Sequence, residues 1–127
     1  METKKTVVIV TDEAGSSRNI AEQIAAVLED SCRVISLTAP NFKGNDMLPA
    51  DVIFLGCVSP NPPAFAYLEE MFRHINLAGR SCGVFSDSGK TVQYLKNMVH
   101  DSELNLAKPF TGSGGPELHK WIKGIVS

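Results

Sequence analysis

No stretch of about 18 consecutive apolar residues occurs in the sequence, so no segment reads as a membrane-spanning helix. Charge of one sign is also missing: 12 Lys and Arg face 14 Asp and Glu, a formal net charge of −2. That balance excludes the strong positive field that recruits nucleic acid or an anionic membrane surface. Cysteine is scarce. Cys32, Cys57 and Cys82 are an odd number, evenly spaced, and fit neither a disulfide framework nor metal-ligand spacing. They read as small buried hydrophobes in or beside strands, with Cys57 alone placed in a functional loop. His74, His100 and His119 fall on separate helical stretches and suggest no shared site. Met1-Glu2-Thr3-Lys4-Lys5 leads into a β-type run with no signal-peptide-like apolar stretch, which points to the cytoplasm.

What is present is an apolar fraction of 43% over 127 residues, enough for one globular domain spanning residues 1–127. Strand and helix patterns alternate along it. Thr6 to Thr11 is a β-branched run suited to burial on both faces. Ile20, Ile24, Val27 and Leu28 then recur at helical spacing in a segment from Ser16 or Ser17 to Glu29, with the serines as natural N-caps. Arg33–Leu37, Asp51–Gly56 and Ser81–Ser86 read as further strands. Phe65, Leu68, Met71, Phe72 and Ile75 form one helical core face, and Val92, Leu95, Met98 and Val99 another, over 91–100. A weak fifth strand is expected near Leu104–Ala107, and Pro116 opens a last helix carrying Leu118, Trp121, Ile122, Ile125 and Val126.

Strands alternating with helices of this length imply right-handed crossovers and a three-layer αβα fold, with a five-stranded parallel sheet in the order 2-1-3-4-5. In such sheets ligands bind outside the strand C-termini, where the winding reverses between the first and third strands. Two segments meet there, Thr11–Ser17 and Gly56–Pro63, and Ser86–Lys90 joins them from the fourth strand. Thr11-Asp12-Glu13-Ala14-Gly15-Ser16-Ser17 runs from a strand into a helix. A helix start offers free N–H groups and partial positive charge, Gly15 permits close backbone approach, and three hydroxyls add donors for a phosphate.

Gly15-Ser16-Ser17 followed by Ile20-Ala21-Glu22-Gln23-Ile24 resembles the phosphate turn and first helix of flavodoxins, and Asp51-Val52-Ile53-Phe54-Leu55-Gly56-Cys57 their third strand and first flavin loop. Pro63-Ala64-Phe65 and Leu77-Ala78-Gly79-Arg80 through Phe85 are similar to their second helix and fourth strand. The resemblance implies noncovalent FMN, single-electron transfer and redox partner proteins, the flavin itself doing the chemistry. Thr11, Gly15, Ser16 and Ser17 would hold its phosphate. Cys57, Val58, Ser59, Pro60 and Asn61, with Ser86, Asp87, Ser88 and Gly89, would flank the ring, Val58 and Pro60 forming an apolar wall. Ala14 departs from the family's threonine hydroxyl, and neither ring-flanking loop holds a Trp or Tyr. Asp12 and Glu13 place carboxylates beside the phosphate, a repulsion of a few kcal/mol at an effective dielectric of about 20 unless they turn away.

A second resemblance is to response-regulator receiver domains, carried by Lys108-Pro109-Phe110, Ser86 and the Asp12-Glu13 pair. Receiver chemistry needs a carboxylate where this chain has Gly56-Cys57, so aspartyl phosphorylation is excluded there. The alternative function is accordingly a cofactor-free module, a flavin-less flavodoxin relative or pseudo-receiver, that binds signalling partners.

Overall fold

The computed structural model describes residues 5–12, 15–43, 49–112 and 114–126. Glu13 and Ala14, two of the positions singled out above, lie outside them. The strands are β1 (Thr6–Thr11), β2 (Arg33–Thr38), β3 (Val52–Gly56), β4 (Ser81–Ser86), β5 (Asn105–Leu106) and β6 (Phe110–Thr111). The helices are α1 (Ser16–Leu28), α2 (Ala66–His74), α3 (Gly89–Val99) and α4 (Pro116–Val126). All pairings are parallel and the sheet order is β2-β1-β3-β4-β5, with β6 also on β4. The winding therefore reverses between β1 and β3, as expected from the alternation. No helix among the described residues is long and apolar enough to cross a membrane.

The strands alternate their side chains between two buried layers, which is why they read as unbroken apolar runs. Val8 and Val10 of β1, Ile53 and Leu55 of β3, and Cys82 and Val84 of β4 face Leu68 and Phe72 of α2 and Leu95 and Val99 of α3. Val7, Ile9, Val52, Phe54 and Phe85 face Ile20, Ile24 and Leu28 of α1 and Leu118, Ile122 and Ile125 of α4. Two helices thus cover each face. All three cysteines are free and buried among these residues.

The fifth position differs from expectation. It is two short strands, and their register against β4 slips by one residue between Leu106↔Cys82 and Phe110↔Phe85. The reason is Pro109. Asn105 and Ala107 donate their N–H groups to Arg80 O and Cys82 O, and the next donor in that alternation would be residue 109, where proline has none. The chain bulges there, and the Lys108 carbonyl instead accepts the Trp121 indole N–H at 2.6 Å. Lys108-Pro109-Phe110 is thus a break inside the strand line.

Candidate functional site

The C-terminal ends of β1, β3 and β4 bring three loops together. Val58 N–H, in the loop after β3, donates to Asp12 Oδ2 at 2.7 Å, and the Ser17 hydroxyl of α1 donates to the same oxygen at 3.2 Å. The Ser16 hydroxyl reaches Asp87 Oδ2, after β4, at 2.9 Å. The buried Ser86 hydroxyl donates to Cys57 O at 2.9 Å and accepts from Ser88 N–H at 3.3 Å. The Thr91 hydroxyl ties α3 to Val58 O at 3.2 Å. Residues distant in sequence are thus knitted into one rim at the switch between β1 and β3.

Gly15 sets the rim's geometry. It is the N-cap of α1, at φ 95 and ψ −168, a region open essentially to glycine alone. A Cβ there would stand 3.0 Å from Val58 Cγ2, so the first two loops touch at this point. Having no side chain, Gly15 supplies no capping oxygen, and the amides of the first helical turn face the rim at the positive end of α1. Ser16 and Ser17, expected as N-caps, lie inside the helix instead, and their hydroxyls go to Asp87 and Asp12. A glycine preceding two serines takes the cap because only it fits the required backbone.

Thr11 is fully buried, its hydroxyl donating to Asp12 O at 3.1 Å and accepting from Arg18 Nη1 at 3.3 Å. Cys57 is buried, with its thiol on Ser59 O at 3.4 Å, while Val58, Ser59, Pro60 and Asn61 are exposed. Asn61 adopts a left-handed turn and also lines a cavity of about 180 Å³ between α2 and α3, with Glu69, Arg73 and Tyr94. Helix α3 begins at Gly89, two residues earlier than the apolar periodicity suggested, so the loop after β4 shrinks to Asp87 and Ser88. Among the aromatic residues near these loops in sequence, Phe65 is buried in the core and Tyr67 leans on Phe42. Tyr94 lines the α2–α3 cavity, where burial and the Glu69 carboxylate push its phenol pKa up.

Arg18 is the residue that sequence reasoning missed. It follows Gly15-Ser16-Ser17 by one position, and its guanidinium reaches back across the turn to Thr11, bringing the one cation bonded into the rim among the described residues. Thr91 was missed as well, because the periodicity assigns it only the start of the helix over 91–100.

Its surroundings do not favour Cys57 as a nucleophile. Burial, with the Asp12 carboxylate adding to it, pushes the thiol from the ordinary 9.0 to about 12, and burial alone does the same for Cys82. Both thiols are expected to resist alkylation by iodoacetamide at pH 8 in the folded protein and to react fully in urea; mass spectrometry counts the adducts. Both folded pKa values lie above the unfolded one. Their contribution to stability is therefore complete below pH 9.0 and is lost as pH rises from there through about 12.

A comparison with family models finds no match for this sequence, and neither does one with curated proteins. Solved structures do match. A short-chain flavodoxin associated with a PDU bacterial microcompartment superposes with a TM-score of 0.84 at 14% identity, covering 98% of this chain and 97% of that one. The flavodoxin of Streptococcus pneumoniae TIGR4 gives 0.78 at 16% identity, over 95% and 94% of the two chains. A Fusobacterium nucleatum flavodoxin mutant bound to flavin mononucleotide gives 0.63 at 13% identity, over 82% of this chain and 68% of that one. With its strand order, its crossovers and this likeness over nearly the whole length, the chain has the flavodoxin-like α/β fold.

Proposed function

We propose that this chain binds FMN noncovalently in the crevice among Thr11–Ser17, Cys57–Asn61 and Ser86–Gly89, and carries single electrons between cytoplasmic redox proteins. The observation that carries the reading is the glycine-capped start of α1. It is pressed against Val58 at the sheet's switch point, where its first-turn amides can receive an anion. Flavodoxins with the same fold support it, one of them bound to FMN.

The residues fit the group at the backbone. Ser16, Ser17 and Arg18 would direct their amides to the phosphate, and the Arg18 guanidinium, bonded to Thr11 Oγ1, would help balance its charge. The hydroxyls of Ser16 and Ser17 would reach it by rotation about one bond, leaving Asp87 and Asp12. Val58, 39% exposed, and Pro60 would shield one side of the ring from water. The flavin, when bound, supplies the redox chemistry; no side chain need act as acid, base or nucleophile.

A second reading is favoured by the Asp12 carboxylate. By holding Val58 N–H and Ser17 it closes the rim from within, as a cofactor-free interaction module would require. One titration separates the two. Adding the protein to FMN should quench flavin fluorescence with saturation near one flavin per chain, and a flat response at high micromolar protein leaves only the module.

A further inference from the structure

We propose that Asp12 determines which flavin this crevice selects, removing the advantage of the phosphate so that FMN and its dephosphorylated form, riboflavin, bind about equally well. The inference rests on the flavin-site reading above and concerns this chain's own residues. Asp12 Oδ2 accepts two hydrogen bonds, from Val58 N–H and from Ser17 Oγ, and these donors stand on the loop after β3 and on the first turn of α1, which meet at Gly15. Ser17 Oγ is a donor that a phosphate at the start of α1 would draw on, and Val58 N–H faces it across the rim. An anion belonging to the chain already holds them. The other serine hydroxyl of the turn, Ser16, is held by a second carboxylate, Asp87.

Among the described residues, a phosphate entering here meets the carboxylates of Asp12 and Asp87 and the Arg18 guanidinium, which is bonded to Thr11. Repulsion between like charges a few ångströms apart in a half-buried rim offsets what the helix amides contribute. A sugar-alcohol chain ending in a hydroxyl meets the same carboxylates as acceptors. Its terminal O–H donates to Asp12 Oδ2 with a charge-assisted bond, taking the place of the Ser17 hydroxyl. The ring and the rest of the chain are common to both flavins, so the difference between them isolates the phosphate, and its change on substituting Asp12 isolates this one carboxylate.

The test is the ratio of riboflavin to FMN dissociation constants, measured by fluorescence quenching at fixed ionic strength in the wild type, Asp12→Asn and Asp12→Ser. Asparagine keeps an oxygen for Val58 N–H and Ser17 but no charge, and serine removes the group altogether; circular dichroism confirms that each is folded, and either variant alone decides the matter. The wild-type constants should agree within about threefold, while the variants should favour FMN by at least about tenfold. Inorganic phosphate should raise the melting temperature of the variants only. A wild type that prefers FMN by more than about tenfold, or variants whose ratio does not move, overturns the proposal. Should the wild type bind neither flavin, the electron-carrier reading fails separately. Gain of FMN or phosphate binding on Asp12→Asn or Asp12→Ser then still supports the role of Asp12, and no gain in a folded variant overturns it.

Discussion

Gly15→Val is expected to weaken flavin binding by at least about 100-fold while leaving a folded protein, the largest loss of function available from one side chain at this site. The backbone at φ 95, ψ −168 excludes a β-branched residue, at a cost of about 1–3 kcal/mol where the chain is held to it. Val58 is already 3.0 Å from where the new Cβ would sit, and the two γ carbons of valine need still more room. The turn must therefore move away from the loop after β3, carrying the first-turn amides with it and parting Val58 N–H from Asp12. Since α1 is anchored lower down by Ile20, Ile24 and Leu28, the displacement stays at the rim and the sheet survives. Flavin titration together with thermal melting checks this. Unchanged affinity would remove the start of α1 from the site, and complete unfolding would mean that the turn supports the domain itself.

The sheet was legible because burial on both faces demands continuous apolar runs, which Val7–Val10 and Val52–Leu55 supply without polar interruption. The order of the strands followed from the alternation and the handedness of crossovers. What escaped the sequence was set by tertiary geometry. Phe110 and Thr111 join the sheet only because a one-residue bulge at Pro109 restores their register, and a proline next to a weak run argues locally against any strand there. Gly89 and Lys90 are poor evidence for a helix start, yet Ser88 O accepts Val92 N–H and fixes the first turn ahead of the apolar stripe. At the site, composition located all three loops, because small and polar residues collect where strands end. It did not say where carboxylates point. Asp12 turns inward because Val58 N–H, unpaired by any strand beyond Gly56, needs an acceptor at that height. Arg18 turns back to meet the Thr11 hydroxyl at the end of β1. Such choices depend on groups 46 residues apart in the chain for Asp12 and Val58, and no local pattern encodes them.

Phe54→Ala should separate stability from the site in the opposite sense to Gly15→Val. Phe54 has no exposed surface, lies in the middle of β3, and meets the Trp121 ring edge-on at a centroid distance of 5.4 Å. The same indole touches Phe85 at 6.2 Å and Phe110 at 5.5 Å, and its N–H holds Lys108 O over the bulge. It lies over Gly83, where any Cβ would fall 2.8 Å from the ring, so β4 has no side chain there to fill a gap left beside it. Truncating Phe54 thus opens a cavity that neighbours on a rigid sheet are poorly placed to fill, and it loosens the clamp joining α4 to β6. The expected loss is about 3–5 kcal/mol, read from the urea midpoint, with a melting temperature lower by roughly 10 °C or more. Because Phe54 faces α4 and the rim residues stand beyond the end of its strand, the surviving folded fraction should keep its flavin affinity within about threefold at low temperature. A loss below about 1 kcal/mol would show that α4 is held by Leu118 and Ile122 alone, with the aromatic cluster contributing little to the stability of that face.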